Sequence, residues 1–318
     1  MGKYLALRIL QTLIVLIIVT TAVFFMVNLL PGDPVYIYAQ NDNIPQEQYN
    51  IIHHQLGLDQ PVLTRYINWV KEVLKGNFGI SFKYHVPVWS IISSRIGITL
   101  YLATLATLIG MPVGILFGIL TAIKRGSKTD TVITILANIT GCLPVFWVGI
   151  CLMYIFSMSL HWLPSTGFIW PWKNLWQHLT HLAMPLFCLS LNGIATTARQ
   201  TRSSMLEVIR QDYVITARAK GMPERKVITV HMLKNALLPI VTLFGTRLAF
   251  MIGGSMFVET VFNIPGMGTL MINTISFRDV PTVQALVLLT ALVCCIAFIL
   301  TDVMYIMVDP RISLTGKE

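Results

Sequence analysis

Long apolar runs separated by short polar stretches dominate the chain. A helix needs about 20 mostly apolar residues to cross a membrane, because each residue adds 1.5 Å and the hydrocarbon core is about 30 Å thick. Six runs reach that length, which predicts six membrane-spanning helices. Their approximate bounds are residues 9–30, 97–123, 131–160, 181–201, 236–258 and 283–308.

The first run could instead be a secretory signal peptide. A signal peptide has an apolar core of about 7–15 residues and ends in a small-residue cleavage site. This run is longer and stops at Pro31, Gly32, Asp33 and Pro34. We therefore expect an uncleaved helix. The glycines inside the second run, at 110, 114 and 118, are expected to mark close helix packing.

Two polar segments interrupt the pattern. Residues 31–96 mix aromatic and charged side chains and are expected to be partly helical. Residues 202–235, which we call the coupling segment, are rich in basic residues. Four tryptophans lie between the third and fourth runs, as in an interfacial aromatic belt: Trp162, Trp170, Trp172 and Trp176. No internal repeat or second soluble domain is visible, so a single membrane domain is predicted.

Composition and charge agree with this class. The chain is 55% hydrophobic and 12% charged, whereas soluble domains carry about 25% charged residues. The net charge of +9 could indicate nucleic acid, but the basic residues flank the apolar runs. Fifteen lysines and arginines fall on the side that holds both termini, and seven fall on the other. The positive-inside rule then places both termini in the cytoplasm and leaves nucleic acid without a role.

Metal and disulfide chemistry have weak sequence support. The five cysteines lie in apolar segments without a CxxC spacing, so no disulfide is expected. His178 and His181 could share one helix face, with His161 nearby. Imidazole binds nickel and zinc, but histidines beside Trp176 also suit a membrane interface. The role of this pair stays open, and we predict no metal site.

Catalytic motifs are not evident either. Gly126, Ser127, Lys128 and Thr129 resemble part of a phosphate-binding loop, but they lack its full spacing and join two apolar runs. Ser203, Ser204 and His231 lie in the basic polar region, away from the apolar runs. An intramembrane protease is therefore disfavoured, and we expect any energy source to reside on another chain.

Charges within the apolar runs are better functional candidates. Arg247 falls in the middle of the fifth run, and Glu259 and Asp302 fall towards the ends of runs. A charge at the bilayer centre costs about 2.5–3.5 kcal/mol on the insertion scale. These side chains are therefore expected to face water or the protein interior. They could line a translocation path or form structural pairs, and both roles stay open.

The coupling segment carries a distinct local signature. Asp212 is expected to cap a short helix over 213–220, and Gly221 follows where helices often end in a left-handed turn. Pro223 suits the first turn of a second helix, and Pro239 lies near the start of the fifth run. The pattern predicts a helix, a sharp turn and a helix at the membrane surface.

This element has two possible roles. Its basic residues could bind anionic lipid, or it could dock on a protein. Val214, Ala217 and Gly221 form a small apolar face that would suit a groove in a partner. The local chemistry alone leaves both roles open.

The run from Asp212 to Gly221 resembles the peptide-branch "EAA" loop in permease subunits of binding-protein-dependent ABC importers. Ile215 stands where the general pattern has its glutamate, so no glutamate salt bridge to an ATPase is expected. Six further segments share the resemblance, at residues 30–34, 56–61, 202–207, 231–239, 262–268 and 309–311. Together they extend over nearly the whole chain and are similar to the first permease of dipeptide, oligopeptide and nickel importers.

The resemblance implies an all-α type I ABC importer permease, a six-helix transmembrane bundle with a cytoplasmic coupling helix. It also implies a bacterial inner-membrane location. Implied partners are a second permease, two ATP-binding subunits that hold ATP and Mg²⁺, and an extracytoplasmic solute-binding protein, with lipid around them. The chain itself would bind no cofactor and catalyse no reaction. The implied docking residues are Asp212, Tyr213, Thr216, Ala217, Arg218, Ala219, Lys220, Gly221 and Pro223.

Di- or oligopeptides are the solutes that this branch implies, with nickel or a metal chelate as the alternative. A stand-alone secondary transporter is the rival from another class. It would work without ATPase subunits, and it would be expected to carry a discontinuous, charge-bearing helix pair at mid-membrane.

Overall fold

The computed structural model describes residues 2–29 and 31–308. Leu30 and the predicted motif at residues 309–311 lie outside the described residues, as does Lys317. The backbone is almost entirely helical, and within the described ranges the β-structure recorded is an isolated bridge between Ile80 and Pro87. Two compact units divide the chain: residues 1–99 with 265–293, and residues 100–264 with 294–318.

The described residues form fourteen α-helices and two π-helical stretches. In chain order they are α1 (Gly2–Asn28), α2 (Pro34–Ala39), α3 (Gln46–Gln55), α4 (Val62–Leu74), α5 (Val88–Ile123), α6 (Lys128–Cys142), α7 (Val145–Leu152), π1 (Met153–Ser159), α8 (Leu175–Val208), α9 (Asp212–Ala219), α10 (Glu224–Lys226), π2 (Val227–Met232), α11 (Leu233–Ala236), α12 (Leu238–Val261), α13 (Met267–Ser276) and α14 (Val280–Val308).

Within the described ranges, five helices are long and apolar enough to cross a membrane: α1, α5, α8, α12 and α14. Many of their large apolar side chains are exposed, such as Ile18 on α1 and Phe250 on α12, which is 81% exposed. Such surfaces need lipid or another protein around them. Helices α5 and α8 begin earlier than the apolar runs suggested, so parts of both continue into the polar segments.

The third predicted span differs from a single straight helix. Helix α6 ends at Cys142, α7 begins at Val145, and the two meet at a bend of 102°. Pro144 causes the break, because it has no N–H for the helix ladder and disfavours helical backbone at the residue before it. Leu143 accordingly has an extended ψ of 133°. Six spans result if the bent pair counts as one, and that count stays a prediction.

The first unit contains the polar segment 31–96, whose partly helical character is confirmed by α2, α3 and α4. Asp33 caps α2 through a 2.9 Å bond from the backbone N–H of Val35, and Pro34 occupies the first turn. The chain therefore stops after α1 and restarts as a new helix within a few residues. A core of buried apolar side chains joins the start of α5 to α13 and α14, namely Val88, Ile92, Met267, Leu270, Ala285, Leu286 and Leu289.

A fully buried carboxylate, Asp279, connects two parts of the first unit. It accepts hydrogen bonds from the Ser81 hydroxyl, the Phe82 N–H and the Thr282 hydroxyl, at 2.5, 3.0 and 2.8 Å. Three donors satisfy a carboxylate that burial would otherwise make costly. Asp279 therefore fixes the turn around Ser81 to the start of α14.

In the second unit, α6, α7 and α12 all pack on α8. Helix α5 approaches α8 through the predicted glycines. A Cβ added to Gly114 would lie 2.8 Å from the Ile194 carbonyl oxygen, and one on Gly118 would lie 2.7 Å from the Ala198 carbonyl oxygen. The packing role of these glycines is confirmed, since only residues without a Cβ permit this approach.

Candidate functional site

The coupling segment forms the predicted sequence of helix, turn and helix. Helix α9 ends at Ala219, and Gly221 follows with φ of +72°, which confirms the left-handed turn. The chain then continues through α10, π2 and α11 to α12, where Pro239 lies in the first turn as predicted. A glycine is needed at 221 because other residues strain in this conformation.

Two details of the predicted helix starts are wrong. Gln211, not Asp212, occupies the N-cap position of α9, and no side chain caps that end. Asp212 instead lies in the first helical turn, where its negative charge interacts favourably with the positive end of the helix dipole. Pro223 is the N-cap residue of α10 with an extended ψ of 136°, one place before the predicted position.

The sequence suggested that the apolar face of α9 would bind a partner, but the chain itself covers this face. Val214 and Ala217 are buried within the chain's own second unit, at 0% and 5% exposure. They pack in one cluster with Ala122 of α5, Met205 of α8, and Val227, Met232 and Ala236. Their spacing of three residues is that of a face turned towards a core. The residues left on the outside are Asp212, Tyr213, Ile215, Thr216, Arg218, Ala219 and Lys220.

Polar contacts brace the turn from outside. Arg218 donates from Nε and Nη2 to the two carboxylate oxygens of Glu224, at 3.2 and 2.6 Å. The Arg218 guanidinium also holds the pKa of Glu224 below its usual value. The Asn235 side-chain amide donates to the Tyr213 hydroxyl at 2.8 Å, which ties α9 to the end of α11. The exposed surface of α9 is thus presented in a fixed orientation.

A second ion pair holds the loop at 124–127 against α8. Arg202 donates from Nε and Nη2 to the two oxygens of Asp130, both at 3.0 Å. Asp130 also accepts from the Gly126 N–H at 3.0 Å, and the Ser127 hydroxyl caps α6. The resemblance of this stretch to a phosphate-binding loop is therefore explained by a helix cap and a carboxylate anchor.

Substitution of Asp130 by asparagine is expected to destabilise this junction by about 2 kcal/mol, because it removes a charge-assisted bidentate pair. Thermal unfolding of the purified protein should show an apparent Tm several degrees lower. Glu207→Gln, at an exposed carboxylate near the end of α8, is the control and should leave the Tm unchanged. In a double-mutant cycle, adding Arg202→Gln to Asp130→Asn should cost little more. Full additivity would contradict the pair.

The three charges in apolar runs have different surroundings. Arg247 of α12 donates from Nη2 to the Asn192 carbonyl oxygen at 2.7 Å and lies over Gly193, where a Cβ would be 2.9 Å from Nη1. Glu259 is fully buried and accepts from the Ser255 hydroxyl at 3.1 Å. Asp302 is partly buried on α14. The guanidinium of Arg247 is therefore held against the backbone of α8, and path lining stays a prediction for all three.

The histidines do not converge on a shared ligand position. His178 is 3% exposed, with Nε2 at 2.9 Å from the Tyr101 hydroxyl and Nδ1 at 2.5 Å from the Ile169 carbonyl oxygen. Nδ1 of His181 lies 2.7 Å from the Gln177 carbonyl oxygen of its own helix. Both ring nitrogens of His178 are thus occupied by the protein. No group of three or more metal-ligand side chains forms within residues 2–29 and 31–308.

A cavity of about 1020 Å³ lies in the first unit and was not predicted from the sequence. Arg65, Asn68, Trp69 and Glu72 line it from one face of α4, at the helical spacing of three and four residues. Other walls come from the ends of α1, α2 and α3, the turn near Phe82, and the start of α14 with Arg278.

Three features of the structure were not predicted: the Asp130–Arg202 pair, the Ser81–Asp279 pair and the cavity face of α4. Asp130 and Arg202 are 72 positions apart, and Ser81 and Asp279 are 198 apart, so no local pattern joins either pair. The face of α4 had a usable signal, because its polar and aromatic residues recur at helical spacing within a segment that was expected to be partly helical. The two residue pairs depend on the tertiary fold, so the sequence contained no local signal for them.

Residues 114–314 match the model of the binding-protein-dependent transport system inner membrane component. Residues 1–103 match the N-terminal model for membrane components of the same transport systems. The two matches together extend over most of the chain.

Full-length relatives agree. A putative peptide permease protein of Brucella ovis is 39% identical over 319 residues, covering 99% of this chain and 100% of the relative. An oligopeptide transport system permease protein of Bacillus subtilis is 35% identical, covering 98% and 100%. A dipeptide transport system permease protein of Escherichia coli is 36% identical, covering 92% and 94%.

Solved structures of low sequence identity support the fold. The inward-facing MetNI methionine ABC transporter has a chain with a TM-score of 0.58 at 16% identity, covering 69% of this chain and 96% of that one. A chain of an amino acid ABC transporter has a TM-score of 0.53, also at 16% identity, covering 68% and 93%. This chain therefore belongs to the inner-membrane components of binding-protein-dependent transport systems, multi-pass type I ABC importer permeases that catalyse no reaction and carry no cofactor of their own.

Proposed function

We propose that this chain is one of two permease subunits in an ATP-driven importer of di- or oligopeptides. Three relatives named for peptide, oligopeptide or dipeptide transport match it over nearly their full length. These names favour peptides over the nickel or metal-chelate alternative. This chain and the second permease together would enclose the translocation path.

The main structural support for the mechanism is that α9 is held in one orientation on the surface of the second unit. One side of the helix is sealed into the cluster around Met205, while Tyr213 and Ile215 remain 40% and 55% exposed on the other. Exposed apolar side chains on a rigid, basic element form a surface suited to binding another protein. A flexible linker would not offer such a surface. We assign that surface to an ATP-binding subunit, which would hold ATP and Mg²⁺.

The buried side of α9 would transmit a force from a docked partner to the apolar helices. Because Val214 and Ala217 pack against Met205 of α8 and Ala122 of α5, a push on α9 acts on two apolar helices at once. Closure of the two ATP-binding subunits would thereby tilt the spans between outward and inward access. The chain would contribute this movement and no covalent chemistry.

The proposed orientation places both termini, the loop at 124–127 and the coupling segment in the cytoplasm. Basic residues concentrate on that side of the predicted spans, as the positive-inside rule requires. Residues 31–96 would then lie outside, where a solute-binding protein delivers its cargo. Arg247, Glu259 and Asp302 remain our candidates for the path, with Arg247 the strongest because its guanidinium lies against an exposed carbonyl of α8.

Affinity purification of this chain from membranes is expected to yield a second permease and ATP-binding subunits. Proteoliposomes containing that complex and the binding protein should accumulate a tripeptide only when ATP is supplied. The same vesicles without ATP but with an ion gradient are the control for a secondary transporter. Gradient-driven uptake by this chain alone would contradict the proposal, and nickel uptake without peptide uptake would reassign the solute.

A further inference from the structure

The cavity of the first unit has the size of a small-molecule site. Such sites enclose about 300–1,000 Å³, and this cavity measures about 1020 Å³. Its walls combine aromatic rings with side-chain amides, including Tyr38, Trp69, Asn68 and Asn77. The Asn68 amide donates to Gln60 at 3.2 Å, and the Asn77 amide donates to Glu72 at 3.0 Å. Each amide nitrogen therefore keeps a second N–H for a peptide carbonyl. Aromatic walls accept varied side chains. All of these residues lie in one compact unit, in the segment that we propose to be extracytoplasmic.

The acidic groups of the cavity are already engaged by the protein. Asp33 accepts from the Tyr49 hydroxyl at 2.7 Å and from the Val35 N–H at 2.9 Å. Glu72 accepts from Lys75 at 2.7 Å and from the Asn77 amide at 3.0 Å. Neither carboxylate is therefore a strong candidate for binding a cationic ligand.

The cationic groups have capacity left. Arg278 donates from Nη1 to the Pro31 carbonyl oxygen at 2.8 Å and lies over Gly32, where a Cβ would come within 2.7 Å of Nη1. Arg65 is half-buried on the cavity face of α4, and burial lowers its pKa. Its side chain makes no hydrogen bond or ion pair with the part of the chain that the structure describes. A partly desolvated guanidinium without a counter-ion favours an anionic ligand.

We propose that this cavity is a transit subsite that binds the C-terminal carboxylate of a short peptide, with Arg65 as its counter-ion. Arg278, which also lines the cavity, supplies a second positive charge. The subsite would hold peptide on the permease itself after release from the binding protein. This inference rests on the proposed peptide-import function, and it adds a residue-level contact that the function alone does not require.

Saturation-transfer NMR on the purified importer in nanodiscs of zwitterionic lipid, without binding protein, tests the subsite. Trialanine is the probe, and trialanine with an amidated C-terminus is its neutral counterpart. The wild-type complex should bind the free acid and bind the amide about tenfold more weakly, because the charge-assisted contact is lost. Equal binding of acid and amide, or no binding of either, would overturn the inference.

Arg65→Gln should weaken trialanine binding about tenfold and abolish the preference for the acid over the amide. Lys71→Gln is the matched control, because Lys71 lies on the same helix, is exposed and does not line the cavity. Arg65→Lys is the second variant, for use if the Arg65→Gln complex assembles poorly. It keeps the positive charge and should retain part of the preference for the acid. Unchanged binding by both Arg65 variants would refute the contact.

Two further arms separate other outcomes. Nanodiscs with phosphatidylglycerol should bind trialanine as before, whereas loss of binding there would reassign Arg65 to lipid phosphate and overturn the peptide subsite. ATP-driven tripeptide uptake by the wild-type complex with its binding protein is measured in parallel. Uptake without subsite binding defeats this inference alone, and absence of peptide uptake defeats the proposed function as well.

Discussion

Replacement of Gly221 by valine is expected to abolish ATP-driven uptake while the chain still inserts in the membrane. Gly221 has φ of +72°, a conformation that costs an L-residue about 1–2 kcal/mol and a β-branched residue more. No atom lies within 4 Å of a Cβ at this site, so the effect is one of backbone strain and not of a clash. The turn would relax, and α9 would change its direction relative to α10.

Uptake by reconstituted complexes and retention of the ATP-binding subunits on purification measure this effect. Gly76→Val is the matched control, since Gly76 also has a positive φ of +82° and open space around it, but lies between α4 and α5. Gly221→Asn should retain part of the activity, because asparagine tolerates the left-handed region. Normal uptake by the valine variant would show that the angle of this turn does not matter for coupling.

Replacement of Gly118 by leucine is expected to prevent correct packing of the second unit. A Cβ at this position would meet the Ala198 carbonyl oxygen at 2.7 Å and would overlap the Thr201 side chain. A backbone carbonyl within a helix cannot rotate away, so α5 and α8 would have to separate. Overpacking of this kind costs about 3 kcal/mol or more. We expect a large loss of folded complex, not a selective loss of activity.

Size-exclusion profiles in detergent and apparent Tm values report this loss. Gly97→Leu is the control on the same helix, because a Cβ at Gly97 meets nothing within 4 Å. Gly118→Ala should give an intermediate effect and Gly114→Leu a similar one, since Gly114 makes the equivalent approach to Ile194. A wild-type elution profile and Tm for Gly118→Leu would contradict the close approach of α5 to α8.

Local signals in the sequence predicted the elements that depend on local chemistry. Gly221 and Pro239 were placed correctly because left-handed turns and first helical turns select those residues regardless of the surroundings. The Asp212 cap failed for a related reason. Several residues near a helix start can serve as the N-cap, and in α9 that position belongs to Gln211, whose side chain makes no cap hydrogen bond. The starts of α9 and α10 therefore lie one residue from their predicted places, whereas α5 and α8 begin several residues before the apolar runs.

The orientation of α9 could not be read from its sequence. Val214 and Ala217 formed a recognisable apolar face, but the pattern does not state whether the chain itself or another protein covers it. The contacts with Met205 and Val227, from α8 and π2, settled the question. The bend at Pro144 did have a signal, since a proline inside an apolar run predicts a break. Length alone favoured one span there and concealed it.

Helix α8 runs without interruption from Leu175 to Val208, which is about 50 Å at 1.5 Å per residue and exceeds the hydrocarbon core of about 30 Å. Its last turns carry Met205, which packs with the coupling segment, and its first turns carry His178, which is bonded to Tyr101. A continuous helix of this length transmits rotation as well as tilt. In the proposed transport cycle, movement of the coupling segment at one end of α8 would therefore also move His178 and its partner Tyr101 at the other end. Pro185 is the point within α8 at which a bend would absorb part of that movement.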